Sequence, residues 1–179
     1  MNLRHVEYTL FMCHKFQSRY QGPLSYYHRD DDQTLRTNNY LCELDPGSLE
    51  ILSYKKVDTT ELDVKPLWEF VGLEDGRLVH WDDTLYLCGV RRDTDTKGKG
   101  RMEFSEIVDG KEVSRRRIEP PKIDSYCEKN WMPILDKPFH FVKWSNPVEV
   151  VKVDLDTLSS NTVHTHDFIP NITKYDLRG

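Results

Sequence analysis

Two adjacent carboxylates, Glu74 and Asp75, are the residues of this chain best suited to acid–base chemistry. They lie between two glycines and are followed by Arg77 and an apolar, strand-like run. Adjacent residues of an extended chain point to opposite faces, so we expect one carboxylate to face a cavity and the other to contact Arg77 or a backbone amide. A carboxyl group keeps its proton near neutral pH when a second carboxylate and a partly dry cavity raise its pKa, which suits a general acid. The same residues also fit an ordinary surface turn, because Asp-Gly is a common turn pair.

The elements that must position this pair are predicted to be short β-strands, since alternating runs dominate and helical periodicity is weak. Three polar pairs interrupt these runs: Asp82-Asp83, Asp109-Gly110 and Asn146-Pro147. Each pair separates two alternating or apolar segments and therefore predicts a β-hairpin. Many short strands joined by regularly spaced turns predict an all-β fold, as a sandwich, a barrel or a propeller.

A loose internal repeat favours the propeller. Three segments begin with a polar or acidic cluster and close on a strand, and the closing strands recur at roughly 50–60 residues, the size of a four-stranded blade with long loops. The closing strands are residues 41–45, 102–107 and 150–154. A closed propeller needs about 4–8 blades. We therefore expect residues 1–179 to form one partial propeller of about three blades, truncated from a longer chain.

Composition narrows the class of partner. The chain has 179 residues, 31% charged and 11% aromatic, and a net charge of -5, which is typical of a polar folded domain. It has no Lys/Arg-rich face, so nucleic acid is not expected as a partner. It has no apolar run of membrane-spanning length and no leader-like N-terminus, so we expect no membrane association and a cytoplasmic location. The four cysteines lack metal-finger spacing, so we expect free thiols and no metal site.

Residues 72–78, followed by Trp81 to Tyr86, resemble the Gly-x-Glu-Asp-Pro-Arg motif of the family 130 glycoside phosphorylases and hydrolases. Glu128-Lys129-Asn130-Trp131 is similar to the segment that opens a later blade in that family, and Arg36-Thr37-Asn38 to a segment of the first blade. The three segments occur in the family's order, and the resemblance covers about residues 15–179. It implies a five-bladed β-propeller.

The resemblance also implies residue roles. Asp75 would be the general acid and Glu74 its neighbouring carboxylate. The substrate would be an oligosaccharide or glycoside, of the β-mannoside type. The residues that would bind it are Arg36, Asn38, Arg77, Lys129, Asn130 and Trp131.

The attacking group is either phosphate or water. Inorganic phosphate would be a co-substrate held by cations, with Lys129 on its side of the site, whereas a hydrolase needs a second carboxylate about 6.5–9.5 Å away. No organic cofactor is implied. Gly76 stands where the family has proline, which removes a fixed φ and reshapes the loop.

Two other interpretations stay open. The departure at Gly76 favours a non-catalytic glycan-binding or scaffold propeller attached to a larger glycan-processing protein, and an unrelated all-β interaction domain is a more distant alternative. Trp81 and Trp131 fit either sugar stacking or packing between blades. An open blade edge predicts self-association, because its unpaired backbone groups are a template for another strand.

Overall fold

A computed structural model describes residues 34–122 and 125–167 in full, and the backbone of three further strands within residues 2–28. All regular secondary structure in these residues is β-strand, and they include no helix long and apolar enough to cross a membrane. The described strands are β1 (Asn2–Val6), β2 (Thr9–Cys13), β3 (Leu24–His28), β4 (Leu35–Leu44), β5 (Ile51–Lys56), β6 (Phe70–Val71), β7 (Glu74–Trp81), β8 (Thr84–Arg91), β9 (Arg101–Val108), β10 (Lys111–Arg117), β11 (Met132–Pro133), β12 (His140–Ser145), β13 (Val148–Val153) and β14 (Ser160–His166).

The strands form three four-stranded sheets and one separate hairpin, β2–β3. The first sheet has the order β1-β4-β5, with β6 parallel to the start of β4. The central sheet, β7 to β10, and the third sheet, β11 to β14, are simple antiparallel meanders. The predicted all-β class is therefore confirmed for the described residues.

The three predicted hairpins are present, as β7–β8, β9–β10 and β12–β13. In the first, Asp82 and Asp83 both have positive φ, 46° and 61°, and in the second Asp109 and Gly110 have φ of 51° and 80°. Positive φ at both central residues matches the right-handed twist of the flanking strands and closes a tight hairpin. These polar pairs therefore fix the register of the central sheet.

The central sheet lies between the other two and is packed on both faces. Towards the third sheet it presents Trp81, Cys88 and Phe104, which cluster with Phe141 and Val151. The Trp81 indole is 1% exposed, and its Nε1 donates a hydrogen bond to the Ile134 carbonyl at 2.9 Å. Trp81 therefore packs between the two sheets.

The face towards the first sheet is apolar only in part. Leu87 and Ile107 cluster there with Val57 and Leu73. The first strand of the central sheet, β7, also lies beside β1 of the first sheet and β11 of the third. The carboxylate pair Glu74-Asp75 therefore begins a strand of the central sheet that also contacts a strand of each of the other two sheets.

Candidate active site and two cavities

The start of β7 contains a β-bulge. Glu74 is opposite Val90 and Arg77 is opposite Cys88, so three steps on β7 match two on β8. Asp75, in the bulge, has a φ of 53° and is exposed, whereas Glu74 is half-buried. The two carboxylates thus differ in exposure, and the bulge interrupts the strand alternation at this point. A bulge bends its strand and redirects a side chain, and bulges are frequent beside active sites.

Side chains from both neighbouring sheets hold the segment that leads into the bulge. The Gly72 amide donates to Asp93 Oδ2 at 2.9 Å, and Asn39 Nδ2 donates to the Leu73 carbonyl at 2.9 Å. Gly72 has a φ of 97°, and a Cβ at this position would lie 2.5 Å from the Thr37 carbonyl oxygen. Only glycine fits such a close approach in this conformation. The backbone before Glu74 is therefore fixed in place.

The structure divides the predicted substrate-binding residues between two cavities. Arg77, Lys129, Asn130 and Trp131 line a cavity of about 330 Å³ together with Trp144, named here the tryptophan cavity. Arg36 and Asn38 line a second cavity of about 150 Å³ between the first and central sheets, named here the charged cavity. Glu74 and Asp75 are among the lining residues of neither.

The tryptophan cavity is organised around Lys143. Its Nζ lies 3.6 Å from Glu128 Oε1 and 3.8 Å from Glu149 Oε2, and the side chain is 7% exposed. The ammonium also lies over two indole rings, 5.9 Å from the Trp131 centroid and 5.8 Å from that of Trp144. Two carboxylates compensate this buried cation, and two aromatic faces shield it.

The two tryptophans at Lys143 differ in what they offer a ligand. Trp131 is 1% exposed, packs against Phe141, and donates from Nε1 to Glu128 Oε2 at 3.0 Å. Trp144 is 59% exposed, so it is the indole whose surface is open. The sequence analysis named Trp131 as a residue that could stack on a sugar. Trp144 fits that role better because its side chain is accessible.

Two further cations line the same cavity. Arg77 Nη1 donates to the Asp75 carbonyl at 3.2 Å, which connects the bulge of β7 to this cavity. Lys129 is exposed and makes no ion pair within residues 34–122 and 125–167. The cavity therefore offers positive charge next to the candidate general acid.

The charged cavity is lined by equal numbers of cationic and anionic side chains. Its floor is the polar part of the central sheet's inner face, where Arg91 is 3% exposed. Arg91 Nη1 lies 3.5 Å from Asp93 Oδ2, and its Nη2 lies 3.7 Å from Glu112 Oε1. The lining arginines are Arg36, Arg91 and Arg115, and the lining carboxylates are Asp63, Asp93 and Glu112.

Two glutamates beneath this cavity respond differently to burial. Burial pushes the pKa of Glu112 upwards, but hydrogen bonds from Arg115 and Ser105 outweigh it and hold that pKa below its ordinary value. Burial raises the pKa of Glu103 against the pull of Arg91 and Arg117, which lie 2.8 Å and 3.2 Å from its carboxylate oxygens. The network is therefore paired but costly to desolvate.

Two residues that line the charged cavity, Asn38 and Asp93, each have a buried side-chain atom without a hydrogen-bond partner in the described residues: Asn38 Nδ2 and Asp93 Oδ1. Asp93 is 7% exposed, and its other oxygen already accepts from Gly72. A buried polar group without a partner costs about 1–3 kcal/mol. These atoms therefore mark a place where the folded protein lacks a polar partner.

Sequence reasoning missed Asp93, Glu103 and Glu112. A signal was present in β9, where the apolar residues Met102 and Phe104 alternate with Glu103 and Ser105. Polar residues at alternate positions normally face water, but Glu103 and Ser105 are each 1% exposed. Only the packing of the first sheet over this face turns them into a buried network.

No family model, curated protein or solved structure matches this chain. Within the described residues, no group of three or more His, Cys, Asp and Glu side chains is arranged to hold a metal ion.

Proposed function

We propose that this chain is a carbohydrate-active domain that forms about three blades of a five-bladed β-propeller. Three four-stranded sheets support this architecture, two of them simple antiparallel meanders in chain order. The contacts of β7 with β1 and β11 also support it, because the innermost strands of adjacent blades meet around a propeller axis. In this arrangement β7 is the innermost strand of its blade.

The chemistry that we propose is cleavage of a glycosidic bond, with Asp75 as the general acid. The observation that carries it is the bulge that presents the exposed Asp75 carboxyl group at the start of β7. Asp75 donates its proton to the glycosidic oxygen as the bond from that oxygen to the anomeric carbon breaks. An oxygen of the attacking group forms the new bond to the anomeric carbon. Half-buried Glu74 is the neighbouring carboxylate on the same strand.

The attacking group that we favour is inorganic phosphate. Arg77 and Lys129 line the cavity next to the bulge, and Lys143 is already compensated by Glu128 and Glu149. Phosphate needs cations to hold it, whereas water needs a second carboxylate acting as a base. Glu128, a carboxylate in this cavity, is engaged with Trp131 and Lys143. Because Glu128 is already paired, it is poorly placed to act as the base for water, which favours phosphorolysis over hydrolysis.

The substrate that we propose is a glycoside of the β-mannoside type. Trp144 offers an exposed aromatic face at the rim of the tryptophan cavity, and apolar sugar faces stack on such surfaces. Asn130 lines the same cavity. Arg36 and Asn38 line the charged cavity, so we assign them no role at the glycosidic bond.

The described cysteines Cys42, Cys88 and Cys127 are free thiols, which supports a cytoplasmic location.

The test is turnover of β-mannosides by the full chain, with and without inorganic phosphate. We expect release of a sugar 1-phosphate that depends on phosphate. Asp75→Asn should lower the rate by about 10²–10⁴-fold, the usual contribution of general acid catalysis.

Asp83→Asn is the matched control for this test. Asp83 is also an exposed aspartate with positive φ, and it lies in the turn at the opposite end of β7, so its variant should keep full activity. A folded wild type that turns over no glycoside, or an Asp75→Asn variant as active as wild type, would contradict the proposal.

A second candidate function is glycan binding without turnover, and exposed Trp144 is the observation that favours it. Titration of the full chain with mannosides separates the two functions. Binding that is lost in Trp144→Ala and retained in Trp144→Phe, with no product formed by the wild type, would select this candidate over catalysis.

A further inference from the structure

The charged cavity has features of a ligand site that are independent of Asp75. It lies between the first and central sheets. The bulge that contains Asp75 is connected instead to the tryptophan cavity, which Arg77 lines. Its rim includes exposed Arg36, Asp63 and Thr94, and its floor includes buried Arg91 and Glu112. A small molecule therefore has a polar entrance and a buried end to reach.

The unpartnered atoms define what the ligand must supply. Within the described residues, Asp93 Oδ1 is an acceptor without a donor, and Asn38 Nδ2 is a donor without an acceptor. Asp93 is fixed because its Oδ2 accepts from the Gly72 amide at 2.9 Å. A hydroxyl group both donates and accepts, so a molecule with several hydroxyl groups satisfies both atoms.

The charge balance indicates the net charge of the ligand. Three arginines and three carboxylates line the cavity, so the site has no excess charge to attract an ion. An anion would meet the carboxylates, and a cation would meet the arginines. A neutral ligand is favoured.

The walls and the size fit the same class. Leu73, Leu87 and Ile107 also line the cavity and give it an apolar part beside the charged groups, which suits the C–H face of a sugar or polyol. The cavity volume of about 150 Å³ is less than half that of the tryptophan cavity, about 330 Å³. A small single-unit ligand fits this space better than an oligosaccharide.

We propose that the charged cavity binds a neutral polyhydroxylated small molecule, of the monosaccharide or polyol class. Asp93 accepts a hydrogen bond from one of its hydroxyl groups, and Asn38 donates one to another. This site does not depend on catalysis at Asp75.

The test is calorimetric titration of the full chain with mannose, glucose and mannitol, and separately with inorganic phosphate and Mg²⁺. We expect at least one neutral probe to bind with one-to-one stoichiometry, with phosphate and Mg²⁺ failing to compete for the site. If none of the three neutral probes binds, the cavity holds only water and the proposal is wrong.

Variants locate the site. Asn38→Leu removes an unpartnered donor, so we expect at least a tenfold loss of affinity with an unchanged or higher melting temperature. Asn161→Leu, at an exposed asparagine of β14, is the matched control and should leave affinity unchanged. Unchanged binding in Asn38→Leu would overturn the assignment of this cavity.

Two aspartate variants separate this site from the active site. Asp93→Asn gives the cavity one excess positive charge and replaces the free acceptor with a donor. We expect at least tenfold weaker binding of the neutral probe and new binding of phosphate. Asp75→Asn should retain the binding of the neutral probe; its loss in that variant would place the probe at Asp75 and overturn the proposal.

Discussion

Arg91 Nε lies 2.8 Å from Glu103 Oε2, and the two side chains are 4% and 2% exposed. Arg91 also faces Asp93 and Glu112, so a single guanidinium compensates three carboxylates at the interface of the first and central sheets. Arg117 also pairs with Glu103 and Arg115 with Glu112, so Arg91 is the cation that the three carboxylates share.

Arg91→Met should lower the free energy of unfolding by about 3–5 kcal/mol, because Asp93 loses its one ion-pair partner in the described residues, and Glu103 and Glu112 each lose one of two. Arg116→Met is the control, since Arg116 is half-buried and lies over the Phe104 ring at 5.9 Å. It should cost no more than about 1 kcal/mol. Urea denaturation measures both values, and equal losses in the two variants would refute the buried role of Arg91.

Glu112 should make the stability of the protein depend on pH. Its folded pKa lies below the ordinary value of 4.5, because hydrogen bonds from Arg115 and Ser105 outweigh burial. The stabilising contribution of Glu112 to the free energy of unfolding is therefore complete above its unfolded pKa, and it is lost as the pH falls through its folded pKa. Glu112→Gln should cost about 1.5–3 kcal/mol at neutral pH, and this difference from the wild type should shrink in acid.

Chemical denaturation of both proteins between about pH 7 and pH 3 measures this difference. Ser105→Ala removes one of the hydrogen bonds that lower the folded pKa of Glu112, so in that background the loss should be complete at a higher pH. A difference that stays constant over the whole range would contradict the prediction.

Gly72→Ala should destabilise the fold strongly, whereas Gly47→Ala should change its stability little. At Gly72 the φ is 97° and an added Cβ would lie 2.5 Å from the Thr37 carbonyl oxygen, but at Gly47 the nearest atom is an Asp45 side-chain oxygen at 3.4 Å. The left-handed conformation alone costs an alanine about 1–2 kcal/mol, and the contact adds to it. Thermal denaturation should show a clear loss for Gly72→Ala and a change within about 0.5 kcal/mol for Gly47→Ala.

Cys88 should resist alkylation while the protein is folded. Its side chain is 0% exposed, and burial raises the pKa of its thiol to about 12, so the reactive thiolate is scarce at neutral pH. Cys127 is only partly buried. Iodoacetamide labelling followed by peptide mass spectrometry should modify Cys127 first and Cys88 only after unfolding. Equal labelling rates for these two thiols in the native state would show that the thiol of Cys88 is accessible.

The local parts of the fold were predictable from the sequence. Asp82-Asp83 and Asp109-Gly110 specify tight hairpins through their own backbone preferences, and the strands on either side follow. The charged cavity was not predictable in this way. Arg91 and Glu112 are residues of the same sheet, but their burial depends on the first sheet covering that face.

The tryptophan cavity illustrates the same limit. The register between β12 and β13 shifts between Val142 and Trp144, which is a bulge. A register shift changes which side chains share a face, and the sequence around Trp144 carries no distinct signal for it. Trp131 therefore stood out as the more prominent aromatic residue although it is buried in the core.

The two faces of the central sheet differ in a way that sets an order of unfolding. The face towards the third sheet is a continuous apolar cluster, whereas the face towards the first sheet combines a smaller apolar cluster with buried ion pairs. Acid protonates the carboxylates of ion pairs but leaves apolar contacts largely unaffected. We expect amide hydrogen exchange in β4 and β5 to become faster than in β8 and β13 as the pH falls through the folded pKa of Glu112. The protein would then behave as two cooperative units of unequal stability, and the boundary between them is the charged cavity.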